Sequence, residues 1–145
     1  MRVLIKLVFL TQQFYDDYSH CAEILHKDDR PHVQAQVQVE GSLFCIPLRS
    51  NINHPHVLWT DKANKCGLDF SKTVVILDSQ KYIDQTRQPI IRQNEFDALR
   101  GKEFIIETNL NKYIEKYKEA KKSQHIPRNR LLVQCSTLQY FEDSI

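Results

Sequence analysis

The chain predicts an α+β domain in which a twisted, mostly antiparallel sheet carries packed helices. Three observations support that reading. Val33, Ala35, Val37 and Val39 alternate with Gln34, Gln36, Gln38 and Glu40, the period-two pattern of a strand with one buried and one wet face. Gly41 and Ser42 then turn the chain, so that Leu43 to Ile46 returns antiparallel. Late in the chain, from about Asn109 to Lys122, the residues Leu110, Tyr113, Ile114 and Tyr117 recur at helical spacing as a buried stripe. With 145 residues but only 3 Gly and 5 Pro, residues 1–145 read as one domain with no flexible linker.

Taken in order, Val3 to Leu10 is rich in β-branched and aromatic residues and predicts a first strand. Thr11 can cap a helix whose apolar positions, Phe14, Tyr15, Tyr18, Cys21, Ile24 and Leu25, keep helical spacing through Leu25. Lys27 to Pro31 reads as a loop, since Pro31 disfavours a helical residue before it. In the returning strand, Pro47 has no amide hydrogen to give a ladder, so it is expected to end the strand or confine it to an edge. Val57 to Thr60 reads as a short strand, Asp61 to Asn64 as a turn, and the apolar run Thr73 to Leu77 as a central strand. Asn94 is a candidate cap for a helix that Gly101 stops. Phe104 to Ile106 leads into the long helix, and Pro127 restarts the chain into a final helix carrying Leu131, Leu132, Cys135 and Leu138.

Composition excludes little. A hydrophobic content of 41% with 26% charged residues is ordinary for a soluble globular domain, and a net charge of +2 makes no case for nucleic acid unless the charge is clustered. Cys21, Cys45, Cys66 and Cys135 are widely spaced, with no C-x-x-C pair, so they read as reduced, packed thiols of a cytoplasmic protein. The opening MRVLIKLVFL reads as a buried strand instead of a signal peptide, because Lys6 interrupts its apolar run. No segment is long enough to span a bilayer. A Gly-rich phosphate loop, H-E-x-x-H and G-x-S-x-G are all missing from the sequence.

Chemistry concentrates in Leu43 to His54, LFCIPLRSNINH, where a guanidinium, a hydroxyl, two amides and an imidazole follow a strand: Arg49, Ser50, Asn51, Asn53 and His54. Arg can grip a phosphate with two parallel hydrogen bonds, and an exposed imidazole titrates near neutral pH. In a tight hairpin the first and last residues are neighbours, so His32 is expected beside Arg49 and Ser50. The plain alternatives are a polar loop that only turns the chain and a solvated His32 at a strand end. His54 and His56 could share a metal, but the segment supplies no third ligand, and the metal-free, cofactor-free reading is preferred.

Four blocks, FCIPLRSN, TDKANKCGLDFSKTVVILD, IRQNEFDALRGK and RNRLLVQCSTLQYF, occur in this order. Together they resemble the TenpN toxins of TenpIN type III toxin–antitoxin systems, over nearly the whole chain from about Thr11 to Tyr140. The related ToxN and AbiQ toxins share a strand–Pro-Leu-x-Ser arrangement and a Gly-Leu entering a strand, as Gly67–Leu68 does here. The resemblance implies a barrel-like fold similar to MazF and Kid toxins. It also implies an endoribonuclease that cuts single-stranded RNA without a metal and is silenced by a pseudoknot RNA antitoxin, whose precursor it processes. Such systems often act against phages. Ser50 matches the family's active-site serine, with Arg49 before it. The ToxN branch has threonine before the serine and Pro-Lys after it, whereas here the segment is Arg49, Ser50, Asn51, Ile52. The charge of that lysine falls either to Arg49 or to Lys65.

RNA carries its own nucleophile, so cleavage needs a base for the 2′-hydroxyl, an acid for the leaving 5′-oxygen and stabilisation of the phosphorane. Arg49 suits the phosphate, Ser50 the reacting oxygens, and His54, with His32, proton transfer. Asn51, Asn53 and Lys65 are candidate RNA contacts beside them. Tyr15, Tyr18, Trp59 and Tyr82 could stack on bases, although each also suits local packing. Lys112, Lys116, Lys118, Lys121, Lys122, Arg128 and Arg130 cluster late in the chain as candidate antitoxin contacts, or as the ordinary solvated face of a helix. The alternative in a different class is an RNA-binding module without catalysis.

Overall fold

The computed structural model describes residues 5–25 and 31–145. Val3 and Leu4 of the expected first strand lie outside the described residues, as do Lys27, Asp28, Asp29 and Arg30 of the expected loop. The elements run β1 (Lys6–Val8), α1 (Gln12–Asp17), β2 (Gln34–Val39), β3 (Ser42–Arg49), β4 (Val57–Asp61), β5 (Cys66–Asp69) and β6 (Val74–Val75). Then follow α2 (Ser79–Tyr82), α3 (Gln93–Leu99), α4 (Glu103–Lys122) and α5 (Pro127–Cys135). The fold is α+β, with a 6-stranded antiparallel sheet in the order β1-β2-β3-β5-β4 and β6 paired to β3. Among the described residues β1, β4 and the short β6 each pair with one strand only, and the sheet is not closed into a barrel.

The β2–β3 hairpin is the spine. Glu40 and Gly41 both take positive φ, 49° and 83°, so a two-residue turn of the primed type sets the register Val39↔Ser42. The strand does not stop at Pro47, as its chemistry suggested; β3 runs on to Arg49. The reason is a change of partner. Leu48 N–H donates to Val33 O at 2.8 Å, so by strand alternation the nitrogen of Pro47 faces the other edge. On that edge β6 pairs with Phe44 and Cys45, and β5 begins at Leu48, leaving Pro47 between two ladders where no donor is required.

The alternation in β2 is only partly a wet face. Gln34 is buried beside its register partners Val8 and Pro47, so that end of the sheet is covered on both sides, and exposure begins at Gln38. Helix α1 starts where Thr11 accepts a hydrogen bond from Phe14 N–H, but it ends at Asp17 instead of continuing to Leu25. Asp16 and Asp17 at its C-terminal end oppose the helix dipole. Cys21 and Ile24 are then buried by successive turns whose three-residue spacing imitates a helix.

The run Thr73–Leu77 is not a central strand. Only Val74 and Val75 form a ladder, and Leu77 is exposed. The hydroxyl of Thr137 donates to the carbonyls of Thr73 and Ser71, taking acceptors a longer ladder would use. Arg92, not Asn94, is the residue preceding α3, and it makes no side-chain cap; Gly101 follows that helix with φ 73°. Helix α4 begins at Glu103, earlier than Asn109, and buries Ile106 and Ala120 in addition to the expected Leu110, Tyr113, Ile114 and Tyr117. The final helix ends at Cys135, where Ser136 caps a separate 3₁₀ turn that carries the buried Leu138; Leu131 and Cys135 are exposed. Phe14, Ile46, Leu68, Ile106, Leu110 and Leu138, all fully buried, form the centre of the core. Among the described residues no helix is long and apolar enough to cross a membrane.

Gly67 is fixed by a close approach. A Cβ there would fall inside contact distance of the Leu58 carbonyl oxygen and 2.8 Å from Val57 Cγ2, on a neighbouring strand that cannot yield. Gly67→Ala is therefore expected to destabilise the fold by about 1–3 kcal/mol. A urea transition midpoint equal to that of the unsubstituted protein would contradict the close packing of β4 on β5.

Candidate functional site

The polar loop after β3 is organised by a carboxylate that lies well outside it. Asp69, at the end of β5, is fully buried and caps a 3₁₀ turn, accepting from Ser71 N–H at 2.9 Å and from Ser71 Oγ–H at 2.6 Å. Its other oxygen receives Arg49 Nη1 at 2.5 Å, and His54 Nε2 lies 3.1 Å from Oδ1. The backbone brings these groups together. Arg49 pairs with Gly67 in the β3–β5 ladder, Ile52 N–H donates to Lys65 O at 3.1 Å, and Phe70 N–H donates to His56 O at 3.0 Å. Between those ties the loop turns at Asn51, with φ 57°, and plugs Ile52 into the interior.

The tautomer of His54 follows from its neighbours. Nδ1 accepts the His56 backbone N–H at 3.1 Å, so in the neutral ring the proton sits on Nε2, directed at Asp69, with Ser71 Oγ 3.2 Å away. Both ring nitrogens are thus engaged. Burial pushes the Asp69 carboxyl up, but hydrogen bonds from His54, Ser71 and Arg49 outweigh it and hold the group at about 2.

Arg49 keeps the rest of its guanidinium unpartnered among the described residues, and so does the exposed Ser50 hydroxyl. Both line an open cavity of about 240 Å³ together with His32, Cys66, Arg92 and Glu95. The register explains His32: continuing the β2–β3 pairing beyond Gln34↔Pro47 and Val33–Leu48 sets His32 opposite Arg49. Glu95 arrives from α3 and Arg92 from the residue before it, and the Glu95 carboxylate also accepts the Thr60 hydroxyl of β4 at 2.7 Å.

A second groove, of about 250 Å³, is lined by His56 at the end of the same loop together with Phe70, Asn109, Lys112, Tyr113 and Lys116. The His56 ring sits 5.3 Å from Tyr113 and 5.5 Å from His54. Burial, followed by Lys116 and His54, lowers the His56 pKa against the pull of Asp69, so the ring is neutral at pH 7. Among the described residues no group of three His, Cys, Asp or Glu side chains is placed to hold a metal ion.

The remaining candidates are spread out. Lys65 takes a left-handed backbone and its ammonium donates to Asn53 Oδ1 at 3.0 Å, while Asn53 Nδ2 donates to Asn51 O at 3.3 Å. Lys121 is paired with Glu142, and Lys122 lies 3.5 Å from Glu119. Lys118 is half-buried on α4; Arg128 and Arg130 are exposed at the start of α5, with Arg130 Nε donating to Gln124 O at 3.1 Å. Of the aromatics, Tyr18 and Tyr82 pack against Phe14, and Tyr15 is edge-on to it.

Sequence reasoning missed Asp69, Ser71, Arg92 and Glu95. The motif Asp69–Phe70–Ser71 has the form of an Asx turn, which was the one local signal for a structured carboxylate. No family model, curated protein or solved structure matches the chain.

Removal of the Asp69 charge tests the hub. A depressed carboxyl pKa stabilises the fold above the unfolded value near 4, and that contribution, about 2 kcal/mol, is lost as the pH falls from about 4 towards about 2. Asp69→Asn is expected to cost a similar amount at pH 7, with a gap to the unsubstituted protein that narrows over this window. Urea unfolding at pH 7, 4 and 3 reads it; a gap independent of pH would remove Asp69 from this role.

Proposed function

We propose that this chain is a metal-independent endoribonuclease toxin of a type III toxin–antitoxin system, acting in the cytoplasm on single-stranded RNA. The observation that carries the reading is the cavity where Arg49, Ser50 and His32 meet, the serine and the unpaired guanidinium edge both open to a ligand. The four sequence blocks that resemble TenpN toxins support it. The finer fold kinship with MazF and Kid toxins belongs to the same proposal.

In this reading the 2′-hydroxyl loses its proton and attacks the adjacent phosphorus, and the bond to the 5′-oxygen breaks as that oxygen gains a proton. The products are a 2′,3′-cyclic phosphate and a 5′-hydroxyl. Arg49 holds the phosphate and Ser50 hydrogen-bonds the reacting oxygens. His32, facing the cavity, is the group for proton transfer. His54, with both nitrogens engaged, positions Asp69 and hence Arg49. Those engaged nitrogens are also what favours the second reading, an RNA-binding module without catalysis.

Purified protein incubated with a long RNA in excess chelator should give 5′-hydroxyl ends. Ser50→Ala should lower the rate roughly a hundredfold with an unchanged melting temperature, since the side chain has no structural partner. Binding without cutting would select the RNA-binding module, and 3′-hydroxyl ends would overturn the mechanism.

The antitoxin is proposed to be a structured RNA that fills the cavity and continues onto the groove bearing Lys112 and Lys116. Alanine at both lysines should weaken antitoxin binding and make the slope of log affinity against log salt shallower by about one per lost phosphate contact. Lys121→Ala should change the slope less, because Glu142 already neutralises that charge. Equal slopes for the Lys112/Lys116 variant and the unsubstituted protein would place the antitoxin elsewhere.

A further inference from the structure

We propose that Arg92 is a catalytic residue, the second phosphodiester-binding cation of the His32–Arg49 cavity, and that Glu95 is its positioning residue. The inference rests on the ribonuclease reading above and names a group which that reading did not use. Three cations are candidates to meet the scissile phosphate beside Ser50. Arg49 is drawn towards the buried Asp69, and the Lys65 ammonium is turned to Asn53. Arg92, the residue before α3, also lines the cavity, with its side chain 61% exposed.

Its orientation is built from below. Glu95 is 4% exposed, and its two oxygens are used differently. Oε2 accepts the Thr60 hydroxyl at 2.7 Å, which ties the carboxylate to β4. Oε1 accepts Arg92 Nε at 2.9 Å and Nη2 at 2.6 Å, gripping one side of the guanidinium with two bonds. Nη2 also points at Cys66 Sγ, 3.5 Å away on β5. With those sites occupied, Nη1 is the corner without a partner among the described residues.

A planar fork whose rear edge is fixed offers its remaining donors in one direction, which suits an oxygen that gains charge in a transition state. A surface arginine paired only for solubility would not have its carboxylate buried and braced by a third residue. The buried carboxylate also has a cost for the ground state, because it offsets part of the positive charge that an RNA phosphate meets. Orientation and affinity therefore pull in opposite directions at Glu95, and the two can be separated by measurement.

The experiment uses a short RNA with one cleavable linkage and its uncleavable 2′-deoxy counterpart. Arg92→Lys keeps the charge without the fork and should lower kcat about tenfold. Arg92→Ala should lower it about a hundredfold. Arg92→Ala leaves Glu95 buried and unpaired, so the double variant Arg92→Ala/Glu95→Gln provides the same loss without a stranded charge. Glu95→Gln alone should reduce kcat while the uncleavable RNA binds as tightly as before or more tightly. A merely structural role would not produce that split. A phosphorothioate in each diastereomeric form at the scissile linkage gives a further readout. One form should slow the unsubstituted enzyme more than the other, and the double variant should lose that difference. Cleavage by the unsubstituted protein with an unaltered kcat and an unaltered diastereomer ratio in the double variant would overturn the role of Arg92 alone. If the unsubstituted protein cuts no RNA, the ribonuclease reading falls and Arg92 falls with it.

Discussion

A buried carboxylate is tolerated only when its charge is balanced and its lone pairs are filled, and Asp69 meets both conditions with groups drawn from three separate segments. Arg49 comes from the end of β3, His54 from the loop that follows, and Ser71 from the turn that Asp69 itself caps. The requirement works in both directions. Without the three donors the carboxylate would not remain ionised inside the protein, and without the carboxylate the loop 50–56 would have little reason to fold inward. The result is a guanidinium with one edge anchored and another open, and a histidine locked in one tautomer. The main chain reinforces the arrangement, since the ties from Ile52 and Phe70 hold the loop at both ends.

The parts of this fold that could be read in advance are those whose signal is local. The β2–β3 alternation, the turn at Gly41 and the stripe of α4 all depend on spacing within one element, and each lies where the spacing places it. Where reading failed, tertiary partners had taken over. The run Thr73–Leu77 has the composition of a strand, but Thr137 takes backbone acceptors there, and that hydroxyl lies 64 residues along the chain. The spacing from Phe14 to Leu25 is helical in period, but turns bury Cys21 and Ile24 at a spacing that periodicity does not separate from a helix.

The candidate site divides along the same line. Arg49, Ser50 and His54 were visible because they lie close together in one short segment, and His32 because hairpin register is a matter of counting. Asp69 was not, being 20 residues from Arg49 and within a buried stretch that reads as core. The Thr60–Glu95–Arg92 chain was hidden for the same reason, as its members belong to β4, to α3 and to the residue before α3, which the sequence offers no means of joining to β4. An acidic residue in an otherwise apolar segment is the nearest thing to a general signal for such hubs.

The two-residue turn at Glu40 and Gly41 has a consequence for how such a chain can diverge. His32 faces Arg49 because equal numbers of residues lie on either side of that turn, so the meeting depends on arithmetic more than on which side chains fill the strands. Many replacements between them leave the count unchanged. A single residue gained or lost in either strand would exchange inward for outward positions and carry His32 away from the cavity, or force a bulge. The hairpin thus acts as a fixed ruler, and a change of length within it would cost the meeting of His32 with Arg49.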